Sequence, residues 1–95
     1  MIITELELEI QGIGDMKGYT LIQLEKTDNA YIYKADDGEN IHYEVFKRIV
    51  VHKFDWETKT RLDTMKVTYP TTPQFGVSAW CYNSLDRARV KFSQI

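Results

Sequence analysis

Two histidines, one cysteine and fourteen acids are the residues of this 95-residue chain that could carry acid–base or nucleophilic chemistry. Hydrolysis needs a nucleophile beside a base, or two carboxylates placed across the scissile bond. His42 and His52 stand ten positions apart, about 33 Å along a straight strand, and meet only if the chain reverses near Lys47-Arg48. Strand alternation sets His52 among Val50, Phe54 and Trp56, where a packed or edge role is expected. Cys81 lies in Ala79-Trp80-Cys81-Tyr82 just before a helical pattern, a position where a helix N-terminus can lower a thiol pKa. Alternation also gives Val77, Ala79 and Cys81 one apolar side, so a small buried hydrophobe is the expected role. His42, His52 and Cys81 lack the paired spacing of a metal site, and the chain has no glycine-rich phosphate motif. The expectation is a chain that is not an enzyme and has no metal and no cofactor.

Binding offers more than catalysis. Residues 47–91 interleave cations with rings: Lys47, Arg48, Lys53, Trp56, Lys59, Arg61, Lys66 and Tyr69, then Arg87, Arg89 and Lys91 on the helical pattern. Small sheets hold single-stranded nucleic acid through such a mixture, with rings stacking on bases and cations tracking phosphate. Against that stand a chain pI of about 5.6 and the lack of an R-G-F-like motif. Six Tyr, four Phe and two Trp are more ring than a small core readily hides, and exposed rings anchor protein interfaces. A protein partner or a homo-oligomer is therefore the first expectation, and single-stranded nucleic acid the alternative. The expected contact residues are Trp56, Lys59, Arg61, Trp80, Arg87 and Arg89.

The elements that must position these residues follow mostly a period of two. Glu5-Leu6-Glu7-Leu8-Glu9-Ile10 alternates carboxylates with apolar side chains, as a half-buried strand does. A second strand is predicted over Gly18 to Lys26, with a turn at Thr27-Asp28-Asn29. Ala35-Asp36-Asp37-Gly38-Glu39 suits a three-residue hairpin loop closing Ala35 on Glu39. That register puts Tyr31, Tyr33, Ile41, Tyr43 and Val45 on one face, and Lys34, Asn40, His42 and Glu44 on the other. Arg48 to Trp56 and Arg61 to Tyr69 read as a further hairpin, with Val50 facing Val67 and His52 facing Met65. Two prolines make 69–73 a loop, and Gly76 to Tyr82 reads as a last short strand. From Ser84 the period changes, and Leu85, Ala88 and Phe92 form one helical stripe. Asn83 or Ser84 serves as N-cap, Asp86 suits the first turn, and Arg89 and Lys91 suit the last.

The predicted fold is α+β: a single domain over residues 1–95, a curved, mostly antiparallel sheet of six or seven short strands with one C-terminal helix. Its expected core is Leu6, Leu8, Ile10, Leu21 or Ile22, Tyr31, Tyr33, Ile41, Tyr43, Val45, Val50, Val67, Leu85 and Phe92. Hydrophobic residues at 43% and charged residues at 27% exclude a disordered chain. No apolar run approaches membrane-spanning length, the N-terminus is glutamate-rich rather than signal-like, and one cysteine fits a reducing cytoplasm. The net charge of −2 hides an asymmetry, because residues 1–44 carry −7 and residues 45–95 carry +5. Such halves either pair across neighbouring strands or make a bipolar surface that favours head-to-tail association.

Two stretches, Tyr43-Glu44-Val45-Phe46-Lys47-Arg48 and Phe75 to Leu85 (FGVSAWCYNSL), resemble segments of small uncharacterised proteins encoded by phages and mobile elements of gut bacteria. The resemblance implies an intracellular accessory protein that engages a host or phage macromolecule. It assigns no chemistry and carries over no functional residue.

Overall fold

The computed structural model describes residues 3–55 and 57–95. Among the described residues eight strands and one α-helix follow in chain order: β1 Ile3–Thr4, β2 Glu9–Gln11, β3 Thr20–Lys26, β4 Ala30–Asp36, β5 Ile41–Lys47, β6 Val50–Asp55, β7 Thr60–Val67, β8 Ala79–Tyr82 and α1 Leu85–Ser93. The class is α+β as predicted, with the strands divided between two sheets. The larger runs β2-β3-β4-β5-β8 and the smaller β1-β7-β6. Every neighbouring pair is antiparallel except β1 and β7. No helix among the described residues is long and apolar enough to cross a membrane.

Both faces of the larger sheet are covered. On one side Leu21, Tyr31, Tyr33, Ala35, Phe46 and Ala79 meet Val67 of the smaller sheet, with Leu6, Val50 and Tyr69 packed around them. On the other side Ile32 and Val45 meet Ala88 of α1, flanked by Leu85 and Phe92. The helical stripe read from the sequence is thus the packing face. Ser84 caps it, its hydroxyl accepting the Arg87 N–H. Phe46 is the hub of the first layer. Its ring lies 5.6 Å from those of Tyr31 and Tyr33 in stacked geometry, and 5.4 Å from Tyr69 edge-on.

Double coverage explains the main correction to the sequence reading. The β4–β5 register pairs Asp36 with Ile41, Tyr33 with Glu44 and Tyr31 with Phe46. The loop therefore has four residues, Asp37 to Asn40, not three. The tyrosines share their face with His42, Glu44 and Phe46, while Tyr43 and Val45 turn toward the helix. The strands are thus three residues away from the predicted register, with Tyr33 opposite Glu44 and not Ile41. An odd slip exchanges the faces, which burial penalises when the other face is wet, but β4 is buried from Ala30 to Tyr33. Turn chemistry decided instead. The Asp36 carboxylate accepts the Gly38 N–H at 2.7 Å, and Asp37 accepts those of Glu39 and Asn40 at 2.9 and 2.6 Å. Those bonds hold Asp37 below the ordinary carboxylate value, and Gly38 supplies the positive φ of 97°. Ile41 consequently stands 46% exposed, outside the core where it was expected.

The second correction concerns residues 5–10. They form no continuous strand. β1 joins the smaller sheet, β2 joins the larger, and residues 5–8 bridge the two. Leu8, expected in the core, is 73% exposed. The cause is Glu5. Its carboxylate accepts from Arg48 in bidentate fashion, from the Tyr31 hydroxyl at 2.5 Å and from Lys26 at 3.1 Å. Two residues on, the Glu7 carbonyl accepts the Tyr33 hydroxyl at 2.6 Å. Arg48 and Tyr31 hold the Glu5 carboxyl well below the ordinary glutamate range, and burial together with Glu5 pushes Tyr31 up to about 12. The β6–β7 hairpin keeps the predicted pairs Val50–Val67 and His52–Met65. Beyond them a bulge falls between His52 and Phe54, and residues 57–62 are exposed.

Two outcomes test this architecture. Phe46→Ala should cost about 3–5 kcal/mol in urea unfolding, while Leu8→Ala stays within about 0.5 kcal/mol of wild type. Glu5→Gln should cost about 1 kcal/mol at pH 7, because the side chain is one-third exposed and solvent screens the pair. A depressed folded pKa stabilises above the ordinary value of 4.5 and stops doing so as pH falls through the folded value. The gap between wild type and Glu5→Gln should therefore close progressively below about pH 4.5; a gap independent of pH would contradict the assignment.

Candidate interaction surface

The strand ends and the last helical turn frame an open groove of about 530 Å³. Asn29 stands just before β4, and Lys47 to Ile49 form the bend from β5 into β6. Trp80 rises from β8 on the helix side, opposite Val45. Lys91 and Gln94 close the groove from α1, with Ile95 beside them. The bend is fixed by the backbone, since Lys47 N–H donates to Ser78 O at 2.9 Å and Arg48 N–H to Asn29 O at 2.8 Å. Lys91 Nζ sits 3.9 Å over the centroid of the Trp80 ring. Arg48 is already held by Glu5, which immobilises its guanidinium, whereas Lys47 is exposed with no ion-pair partner among the described residues. Three cations and one ring therefore converge on a single depression. A smaller one of about 260 Å³ adjoins it, shares Lys91 and Gln94, and adds Tyr82, Arg87 and Val90.

The six expected contact residues do not form one patch. Trp80 lines the groove and Arg87 its annex. Arg89 lies on another side of the helix, paired with Glu25 of β3 at 3.0 Å. Lys59 and Arg61 occupy the distal end of the β6–β7 hairpin, and the smaller sheet packs on the face opposite α1. Trp56 lies outside the described residues. The groove's remaining cations, Lys47, Arg48 and Lys91, appear in the basic interleave of the sequence. Only their convergence was hidden, because it depends on a strand end meeting a helix end 44 residues later.

The titratable groups singled out in the sequence lie elsewhere. His42 Nε2 and Glu44 Oε2 are 2.9 Å apart, and the Tyr69 hydroxyl donates to the other Glu44 oxygen. Glu44 is 2% exposed, a buried carboxylate satisfied on both oxygens. Burial and this carboxylate raise Tyr69 well above the ordinary phenol value. Cys81, paired with Glu44 across β5 and β8, is exposed rather than buried as expected, although Ala79 on the same side of the strand is buried. Its thiol is raised, by desolvation first and Glu44 second, the reverse of an activated thiolate. His52 is exposed on edge strand β6, with Nδ1 3.1 Å from the Leu62 carbonyl oxygen. Among the described residues no group of three or more His, Cys, Asp or Glu side chains could hold a metal ion.

Glu44→Gln should lower the Cys81 thiol pKa and accelerate its alkylation at pH 7.5 a few-fold, because a repelling charge is removed. Tyr69→Phe should cost about 1–2 kcal/mol of stability by leaving Glu44 short of a donor, without that acceleration. Equal alkylation rates in wild type and Glu44→Gln would show that the carboxylate does not act on the thiol. No family model, no curated protein and no solved structure matches this chain.

Proposed function

We propose that the chain is a non-catalytic interaction module that receives an acidic segment of a protein partner in the Trp80 groove. The observation that carries this reading is the convergence of Lys47, Arg48 and Lys91 around one ring. Arg48 and Lys91 are held by Glu5 and by the Trp80 ring, so they meet a carboxylate at small entropic cost, and the ring supplies apolar contact. The groove walls are cations, amides and apolar side chains, with no acid–base pair for chemistry. A reducing cytoplasmic setting and an accessory role in a phage or mobile element belong to the same reading.

Single-stranded nucleic acid is the second reading, favoured by the Trp80 ring beside three cations. It ranks below the acidic peptide because one face of that ring is already covered by Lys91, and the hairpin cations lie across the sheet instead of extending a phosphate track.

Fluorescence titration separates the two. A hexaglutamate peptide at 50 mM salt should change the tryptophan emission saturably, with loss of the response in Trp80→Phe and at least tenfold weaker binding in a Lys47→Ala/Lys91→Ala variant. A ten-nucleotide oligothymidylate binding tenfold tighter than the peptide would transfer the assignment to nucleic acid. Silence toward both at millimolar ligand would remove the groove as a binding site.

A further inference from the structure

The groove has a complement on the same molecule, at the far end of the same two strands. β4 leaves the groove at Ala30 and ends at Asp36, and β5 starts at Ile41 and returns to Lys47. The last residue of β4 and the loop after it carry Asp36, Asp37 and Glu39 within four residues. Asp36 and Asp37 are held as turn acceptors, and the exposed Glu39 contributes only its N–H to the turn, so its carboxylate is free to meet a cation. Apolar surface accompanies the charge. Ile41 is 46% exposed beside the loop, and Ile13, 84% exposed, follows β2 at the same end of the sheet, where Gln11, Thr20, Asp36 and Ile41 fall in one row. The groove answers with Ile49 and Ile95 among its cations.

We propose that the occupant of the groove is the acidic β4–β5 hairpin of a second copy of this chain. The inference rests on the groove reading above and names the partner. Seven strand residues put tip and groove of one molecule about 23 Å apart, so a chain cannot fill its own groove. The two patches differ, so the contact is heterologous, and copies join head to tail, leaving a free tip at one end and a free groove at the other. The segregation of −7 and +5 between the two halves of the sequence acquires a use in this arrangement. Because opposed charges at an exposed contact are screened, the assembly should disperse with salt.

Sedimentation velocity over a concentration series tests it. At 50 mM salt the wild-type mass should climb past the dimer, and at 500 mM salt or with excess hexaglutamate it should return to monomer. Glu39→Lys spoils only the tip, and Lys47→Ala/Lys91→Ala spoils only the groove. Each should weaken self-association at least tenfold with unchanged circular dichroism. Mixed, the intact tip of one and the intact groove of the other should give a 1:1 dimer that grows no further. A symmetric interface predicts no such rescue, and its absence would overturn the proposal. If either variant fails to fold, the wild type still decides through salt and hexaglutamate dispersal. Peptide binding by a chain that stays monomeric at millimolar concentration would refute self-association and leave the groove reading standing. Assembly that hexaglutamate neither binds nor disperses would refute both.

Discussion

The structure is organised by the burial of β4 on both faces. From Ala30 to Tyr33 no side chain of this strand reaches water, yet two of the four end in hydroxyls. A buried hydroxyl without a partner costs on the order of 1–3 kcal/mol, so the surrounding chain must deliver acceptors. Tyr31 donates to Glu5, and Tyr33 donates to the Glu7 carbonyl while accepting from Gln23. No buried side-chain polar atom among the described residues lacks a partner. Residues 5–8 are thereby drawn across the tyrosine layer instead of extending as a strand, and this bridge separates β1 from β2. One constraint therefore explains both the division into two sheets and the exposure of Leu8.

Glu5 extends that constraint to the groove. The same carboxylate that satisfies Tyr31 holds Arg48 from two nitrogens, at the point where the chain leaves the larger sheet for the smaller. Lys47 is the next residue, and its place at the groove mouth follows from the fixed bend. Packing and the interaction surface are in this sense one structure: the carboxylate keeps Arg48 from filling the groove with a mobile side chain.

The parts legible in the sequence are those in which one local rule acted alone. The helix begins at Ser84 because a capping hydroxyl, an early acid and a 3.6-residue stripe all agree. The β6–β7 pairs came out in register because their alternation and loop length give the same answer. The β4–β5 register is not legible in the sequence, because alternation selects one only when one face is wet. With helix and smaller sheet on opposite sides, Tyr43 and Phe46 are both covered, and the pattern no longer selects a register. The carboxylates of Asp36 and Asp37 select it, through bonds to their own loop. The groove was illegible for another reason: Lys47, Trp80 and Lys91 meet only through long-range packing, and no local period records it.

The charge asymmetry allows two outcomes, and both are present: Arg48–Glu5 and Arg89–Glu25 pair the halves, while other charges stay unpaired among the described residues. The ion pairs formed by Lys and Arg among the described residues draw on only two acids, Glu5 and Glu25. Glu44 is spent inside, on Tyr69 and His42. The loop carboxylates at one end of β4–β5 and the lysines at the other are left facing water. In the proposed contact the acidic loop of one molecule meets the cations in the groove of the next. An end-to-end contact is the arrangement in which the charge distribution, the four-residue acidic loop and the groove all act together.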